Sequence, residues 1–503
     1  MCVYADESET TKANFEKQPV CRTIELMIQL YNTLTRRKDK LTPLDGQTVR
    51  IYTCGLTVYS QPHIGNWVGY IYWDVLVRLL RWQDISVIRT QNITDVGHLT
   101  SDDDNGEDKM EKGARREGKT AWDVAKQYIA IAGYEAYEVL KLVRPDHLVQ
   151  ATDYIPQQID FARGLDEKGF LYKIDGDGMY FDTSRLADYG KLARLDVAGL
   201  EAGARVSVEG KRNITDFAVW KFSPTNTKRD MEWDSPWGVG FPGWHLECST
   251  IARETLGDTI DIHTGGIDHI PVHHTNEIAQ SESLTGQQFA HIWLHNNHIK
   301  VDGHKMSKSL GNIITLSDIT ARGFSPMAFK LAILSKHYQT EGNFTWDILE
   351  AAQARLDHWR GYAALRHQTH DTLDDDDEKD EQEGTVSLLA ARQALVEKLN
   401  DDLDTPGALA LIDEAFSRLD HAPLEKIHRG GLLQLIEIID EVLGLDLAAS
   451  TPDITDDLKR LIIQRRSARA EKDWQESDRI RDELLVAGIA IRDTPSGSIW
   501  TWK

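Results

Sequence analysis

The strongest constraint on the fold is a strand-helix-strand pattern early in the chain. Val49 to Thr53 reads as a buried strand, Cys54-Gly-Leu-Thr57 follows it, and His63-Ile64-Gly65-Asn66 forms a turn. Trp67, Ile71, Val75 and Leu79 then recur at every fourth position, as one face of a buried helix does. Ser86 to Asn92 supplies the second apolar strand.

Apolar segments at 259–263 and 290–294 extend the pattern, so the expected fold class is α/β, a Rossmann-like parallel sheet split by a long insertion. A chain of 503 residues exceeds one compact core and divides into several parts. The reading places a polar leader at 1–22, the first half of the sheet domain at 23–144, an insertion at 145–236 and the second half at 237–297. A mixed region at 298–370 and an acidic linker at 371–385, containing Asp374 to Asp377, come next. Amphipathic helices are expected over 386–450 and a small module over 451–503, with one charged helix from Ala468 to Leu485 and a strand at Ser498 to Trp502.

A formal charge of −23 argues against nucleic-acid binding through a uniformly basic surface and leaves local basic patches for that role. Four cysteines, Cys2, Cys21, Cys54 and Cys248, make no disulfide framework and imply a reducing compartment. No stretch approaches the roughly 20 apolar residues of a bilayer span, so a cytoplasmic protein without a membrane partner is expected.

Two motif matches are rejected. Gly113-Ala-Arg-Arg-Glu-Gly-Lys-Thr120 satisfies the phosphate-loop pattern, but the charged segment before it is no strand. Asp102 to Glu111 resembles a calcium loop, yet anchoring it on Gly106 puts Ser101 and Lys112 at the terminal ligand positions.

The remaining motifs carry chemistry. His273 and Glu277 are spaced to project from one helix face and can grip one metal ion. Cys54 and Cys248 can complete a four-ligand set, although either alone reads as a small core residue. Such a mixed thiolate, imidazole and carboxylate set suits zinc, with a substrate thiol as a further soft ligand. Lys305-Met-Ser-Lys308-Ser309 places two lysines where they can meet a polyphosphate, the alternative being a solvated basic turn. His63 to Asn66 opens a helix, where backbone amides favour phosphate, and Gly65 permits close approach.

Together these motifs resemble the class I aminoacyl-tRNA synthetases, with His63 to Asn66 and Lys305 to Ser309 looking like the two signatures and the zinc set like that of the cysteinyl branch. Tyr52 to Tyr59, Asn92 to Asp95, Asp216 to Lys221, Gly243 to Ser249 and Val272 to Gln280 are similar to further stretches of that family, as are Asp401 to Pro406 and Ser477 to Glu483 near the C-terminus. The resemblance implies a catalytic domain interrupted by a connective insertion, a stem-contact region at 298–370, an anticodon-side helical tRNA-binding domain at 386–450 and a C-terminal module. It implies one zinc ion on Cys54, Cys248, His273 and Glu277, with Thr57, Thr94, Trp244 and His263 around the amino acid. It further implies Gly266 and Asp268 at the adenosine, His63, Gly65 and Asn66 at the ATP phosphates, and Lys305 and Lys308 at the departing pyrophosphate, with Mg2+ accompanying ATP. Its partners would be tRNA(Cys), L-cysteine and ATP, and its expected state a monomer.

Two departures stand out: Asn66 replaces the closing histidine of the first signature, and Val272 separates Pro271 from His273, which is expected to move the start of the ligand-bearing helix. Asn66 retains a donor for phosphate or sugar. Metal softness would separate cysteine from serine, so no hydrolytic editing domain is expected. The rival readings are a cysteine-amino sugar ligase of the mycothiol-pathway type, which would not need the C-terminal region, and a non-catalytic synthetase-like sensor, toward which only Asn66 leans.

Overall fold

The computed structural model describes residues 28–97, 109–195, 210–224, 229–307, 310–368, 385–422, 424, 427–494 and 497–502. The leader at 1–22, Lys308 and the acidic linker through residue 384 lie outside them.

A hairpin of β1 (Gln29–Asn32) and β2 (Arg37–Lys40) precedes β3 (Thr48–Thr53), α1 (Ile64–Trp82) and β4 (Ser86–Ile93). Helices α2 (Lys109–Glu117) and α3 (Ala121–Tyr134) lead to β5 (His147–Gln150) and α4 (Ile155–Glu167). Strands β6 (Leu171–Ile174), β7 (Gly178–Phe181), β8 (Phe217–Phe222) and β9 (Gly240–Pro242) form a separate antiparallel sheet. The chain then returns through α5 (Trp244–Leu256), β10 (Ile260–Gly266), α6 (His273–Thr285) and β11 (Ala290–Asn296).

The central sheet is parallel, in the order β11-β10-β3-β4-β5. Helix α1 covers it because Trp67, Ile71, Val75 and Leu79 are all buried on the face that the fourfold spacing defines. Both ends of the insertion need correction: β5 pairs in parallel with β4, so the fifth strand lies inside the segment 145–236, and β9 pairs with β8 beyond its end. The early strand was hidden by its sequence. Its four residues, His147 to Gln150, are short and half-exposed, and lack the apolar run that marks a central strand.

Beyond the sheet come β12 (Ile299–Val301), α7 (Leu316–Ala321), α8 (Pro326–Leu334), β13 (Gly342–Phe344) and α9 (Trp346–Ala364). Helices α10 (Thr385–Asn400), α11 (Thr405–Ser417) and α12 (Arg429–Ile438) follow, and their buried residues join those of α1, α8 and α9 in one continuous apolar core. The single helix expected from Ala468 to Leu485 is two: α13 (Asp456–Ala470) and α14 (Trp474–Val486). Lys472 takes a left-handed conformation at φ 63°, and the Asp473 side chain accepts from the Glu476 N–H to start α14. The hairpin of β14 (Ile489–Thr494) and β15 (Gly497–Trp502) closes the module.

Two carboxylates join the parts. Asp74 on α1 is fully buried and bonds Arg78 Nε at 2.7 Å, Lys330 Nζ on α8 at 3.0 Å and the Val143 N–H at 2.7 Å. Asp402, itself left-handed at φ 61°, accepts from the Tyr31 N–H at 2.7 Å and the Tyr338 hydroxyl at 2.6 Å. The Asp401 to Pro406 motif thereby ties the helical region to the N-terminal hairpin.

The phosphate-loop match falls on a helix and a cap. Gly113 to Glu117 lie within α2, where their amides are engaged in the helix, and Thr120 caps α3 by accepting from the Asp123 N–H.

Candidate metal centre and nucleotide crevice

The strand order reverses at β3, whose helix crossover runs to β4 while β10 lies on its other side. Crevices at such a switch point, beyond the carboxyl ends of the strands, bind ligands in open α/β sheets. Cys54 follows β3 at this point, and Gly265 and Gly266 end β10. The next residue, Gly55, must be glycine: a Cβ there would lie 1.5 Å from the Asn92 carbonyl oxygen.

Cys54, Cys248 on α5, and His273 and Glu277 on α6 bring one ligand atom each to within 4.8 Å of one another, and all four residues are buried. The sulfurs are 4.0 Å apart and both cysteines are free thiols. Tetrahedral zinc with Zn–S near 2.3 Å places two sulfurs about 3.8 Å apart, so the cluster matches the donor set and its scale. Cys54 Sγ lies 3.8 Å from Glu277 Oε1, and His273 Nε2 lies 2.9 Å from the same oxygen.

The groups of the cluster set one another's charge. Burial opposes charge on Glu277, but the imidazoles of His263 and His273 prevail and hold its carboxyl well below the usual range. Burial likewise opposes a charged His273, yet Glu277 and Cys248 push it up to about 10. Burial penalises either thiolate; the bond from Cys54 and the nearby His273 make Cys248 the easier thiol to ionise, and Cys54 is held up.

Of the residues named from sequence for the amino acid, Trp244 and His263 touch this cluster, while Thr57 and Thr94 pair with each other. Thr94 donates to Glu247 Oε2 at 3.0 Å and pairs with Thr57 through a parallel bridge. Trp244 opens α5 with its ring 4.4 Å from that of His273. His263 is fully buried, stacks on Trp293 at 4.5 Å and places Nε2 2.7 Å from Glu277 Oε2, so it reaches the cluster through that carboxylate. Val272 is the N-cap of α6 and His273 its first residue.

His63 caps α1, and its N–H donates to the Asn66 side-chain oxygen at 2.9 Å. That oxygen is therefore engaged in the cap, and the donors of Asn66 are those of its amide N–H2. Gly65 lies against the second signature: a Cβ there would come 2.4 Å from Met306 Cε. Asn312 closes that loop, accepting from the Ser307 N–H at 2.9 Å and donating to the Lys305 carbonyl at 3.1 Å, with Lys305 exposed. Gly266 is half-buried and Asp268 exposed in the turn that follows β10.

Sequence reasoning missed His274, which adjoins the cluster, and His295 and Thr33, which reach it through His274. His274 Nε2 lies 3.3 Å from Cys54 Sγ, and Cys54, His263, His274 and Glu277 make a second, overlapping donor set. Its doubled histidine was the only sequence signal, and an i+1 neighbour does not share a helix face.

Asp95, two residues past β4, accepts from Thr152 Oγ1 at 2.5 Å and from the Thr152 N–H at 3.0 Å, but burial outweighs both bonds and pushes it up to about 6. Between about pH 4 and 6 the folded chain holds a proton that the unfolded chain has released. This contribution is complete below pH 4 and lost as pH rises through 6. Asp95→Asn is therefore expected to stabilise the protein at pH 7, by at most about 3 kcal/mol, with the gain vanishing at pH 4. Thermal denaturation of both proteins at the two pH values checks this, and an unstabilised variant at pH 7 contradicts it.

The fold is that of the class I aminoacyl-tRNA synthetases. Methionyl-tRNA synthetase of Mycobacterium tuberculosis, solved with methionyl-adenylate, superposes with a TM-score of 0.59 at 15% identity over 80% of this chain and 93% of that one. A leucyl enzyme of Agrobacterium radiobacter gives 0.57 at 12% identity over 81% and 86%. Within that class, the family "tRNA synthetases class I (C) catalytic domain" matches residues 40–354, and "Cysteinyl-tRNA ligase anticodon binding domain" matches 451–500. Cysteine-tRNA ligase 1 of Burkholderia lata is 45% identical over 93% of this chain and 96% of its own length. The Novosphingobium aromaticivorans cysteine-tRNA ligase is 39% identical over 95% and 97%. The chain belongs to the cysteine-tRNA ligase family.

Proposed function

We propose that this protein activates L-cysteine with the magnesium complex of ATP, releasing pyrophosphate, and transfers the cysteinyl group to the 3' end of tRNA(Cys). The observation that carries this reading is the Cys54, Cys248, His273 and Glu277 cluster at the switch point of the sheet. These four residues would hold zinc. When bound, that ion supplies a soft Lewis acid that favours the thiolate of cysteine over the hydroxyl of serine.

The chain's own groups do the rest. Thr57, Thr94 and Trp244 border the amino acid, and His263 orients Glu277. The amides at the start of α1, with His63, Gly65 and Asn66, receive the phosphates. Gly266 and Asp268 border the adenosine, and Lys305 and Lys308 neutralise charge as the cysteine carboxylate attacks the α-phosphorus. Catalysis is by positioning and electrostatics, without a covalent enzyme intermediate. The match at 451–500 disfavours the amino-sugar ligase, and the cysteine-tRNA ligase relatives aligned over nearly the whole chain favour neither that ligase nor the sensor. We take the enzyme to be a cytoplasmic monomer; among the described residues no helix is long and apolar enough to cross a membrane.

Charging of purified tRNA with labelled cysteine tests the function. Cysteinyl-tRNA is expected; cysteine-dependent pyrophosphate exchange without charging would point to the amino-sugar ligase. Lys308→Ala is expected to slow activation by about 100- to 1000-fold, the cost of losing a preorganised partner for developing charge, with cysteine affinity unchanged. An unaltered exchange rate removes Lys308 from this role.

A further inference from the structure

One line of buried polar groups reaches the metal cluster from the N-terminal hairpin, an element outside the sheet. Thr33 follows β1, and its N–H donates to the Trp293 carbonyl at 2.9 Å. Beside it the Asn32 side chain brackets β11, accepting from the Trp293 N–H at 3.0 Å and donating to the His291 carbonyl at 2.8 Å. The hairpin turn is thus fixed against the edge of the sheet.

From there the Thr33 hydroxyl lies 2.6 Å from His295 Nδ1, His295 Nε2 lies 2.7 Å from His274 Nδ1, and His274 Nε2 lies 3.3 Å from Cys54 Sγ. The four residues are 4%, 4%, 0% and 7% exposed, so water does not compete for these bonds. The same His274 nitrogen is farther from Glu277 Oε1, at 4.0 Å.

A neutral imidazole has one N–H and one acceptor nitrogen, so the direction of any one bond in this line fixes all the others. With a thiol at Cys54 that donates to His274 rather than to Glu277 or Cys248, the line runs outward: S–H to His274 Nε2, His274 Nδ1–H to His295, and His295 Nδ1–H to Thr33. A metal-bound Cys54 is a thiolate and can only accept. The line must then run inward, from the Thr33 hydroxyl to His295 Nδ1, from His295 Nε2–H to His274 Nδ1, and from His274 Nε2–H to sulfur.

We propose that Thr33 is a positioning residue for the metal centre: its hydroxyl holds His295 and His274 as Nε2–H tautomers and so directs an N–H at the Cys54 thiolate. Zinc at the four-ligand cluster is its premise. On metal binding the thiol proton leaves to solvent, and both imidazoles exchange an Nδ1–H for an Nε2–H without change of charge. The hydrogen bond to sulfur steadies the ligand, as outer partners of metal ligands do, and, being donated to the thiolate, tempers its basicity.

Zinc affinity of the protein, measured by competition with a chromophoric chelator, is expected to fall about 10-fold in Thr33→Val, the low end of the cost of losing an outer partner, because Thr33 acts through His295 and His274. Thr33→Ser, which keeps the hydroxyl, is expected to match the parent. In the zinc-loaded parent, the 15N shifts of His274 and His295 should report Nε2–H tautomers. Equal affinity in the parent and Thr33→Val, equal losses in the valine and serine variants, or Nδ1–H tautomers, which His274 would adopt if it ligated the metal through Nε2, would each overturn the role of Thr33. A parent chain that binds no zinc would instead overturn the metal reading itself.

Discussion

Cys248→Ser is expected to remove zinc and cysteine activation together. Cys248 lies 4.0 Å from Cys54 through sulfur and is 1% exposed, so no other soft donor can take its place from solvent. Serine preserves the volume but offers a hard, weakly acidic oxygen where zinc takes a thiolate. Losing an outer partner of a metal ligand costs about 10- to 100-fold in affinity, and losing a ligand itself should cost more. Metal analysis after dialysis should therefore find most of the zinc gone, and cysteine-dependent pyrophosphate exchange should fall by at least about 100-fold. Full zinc content with full exchange would take Cys248 out of the site.

The largest expected effect on stability is at Asp74. Burial alone would raise its carboxyl, but Lys330 and Arg78 bring it below its ordinary value, which identifies it as the counter-ion of both. Lys330 is fully buried, so Asp74→Asn leaves an ammonium without a charge partner beside the Arg78 guanidinium. Breaking such a buried pair costs about 3–5 kcal/mol. The damage should spread beyond α1, because Arg78 also donates to the carbonyls of Lys141 and Glu441 and so links the sheet domain to the helical region. Chemical denaturation should show the loss in the early part of the transition. A variant as stable as the parent would mean that Lys330 is neutral in the fold.

Much of this site was legible because local rules governed it. His273 and Glu277 share a helix face by their spacing, and Cys54 sits where a buried strand meets a glycine turn. Asn66 and Val272 were visible as departures, but the consequences were structural: one side chain completes a cap and the other residue is a cap. The line from Thr33 to Cys54 was not legible, since His295 faces Gly265 only through the register of β11 on β10, and no local pattern encodes register between strands 30 residues apart in the chain. The break between α13 and α14 carried a signal that periodicity concealed: Asp473 with Glu476 three residues on is a helix start within a continuous charged pattern.

The most direct test is pyrophosphate exchange with cysteine and with serine on the same enzyme before chelation, after chelation and after zinc is restored. The structure predicts that exchange with cysteine is lost and regained with the metal, while serine stays a poor substrate throughout. Cysteine-dependent exchange that persists at full rate in metal-free enzyme would contradict a zinc-held thiolate as the basis of selection.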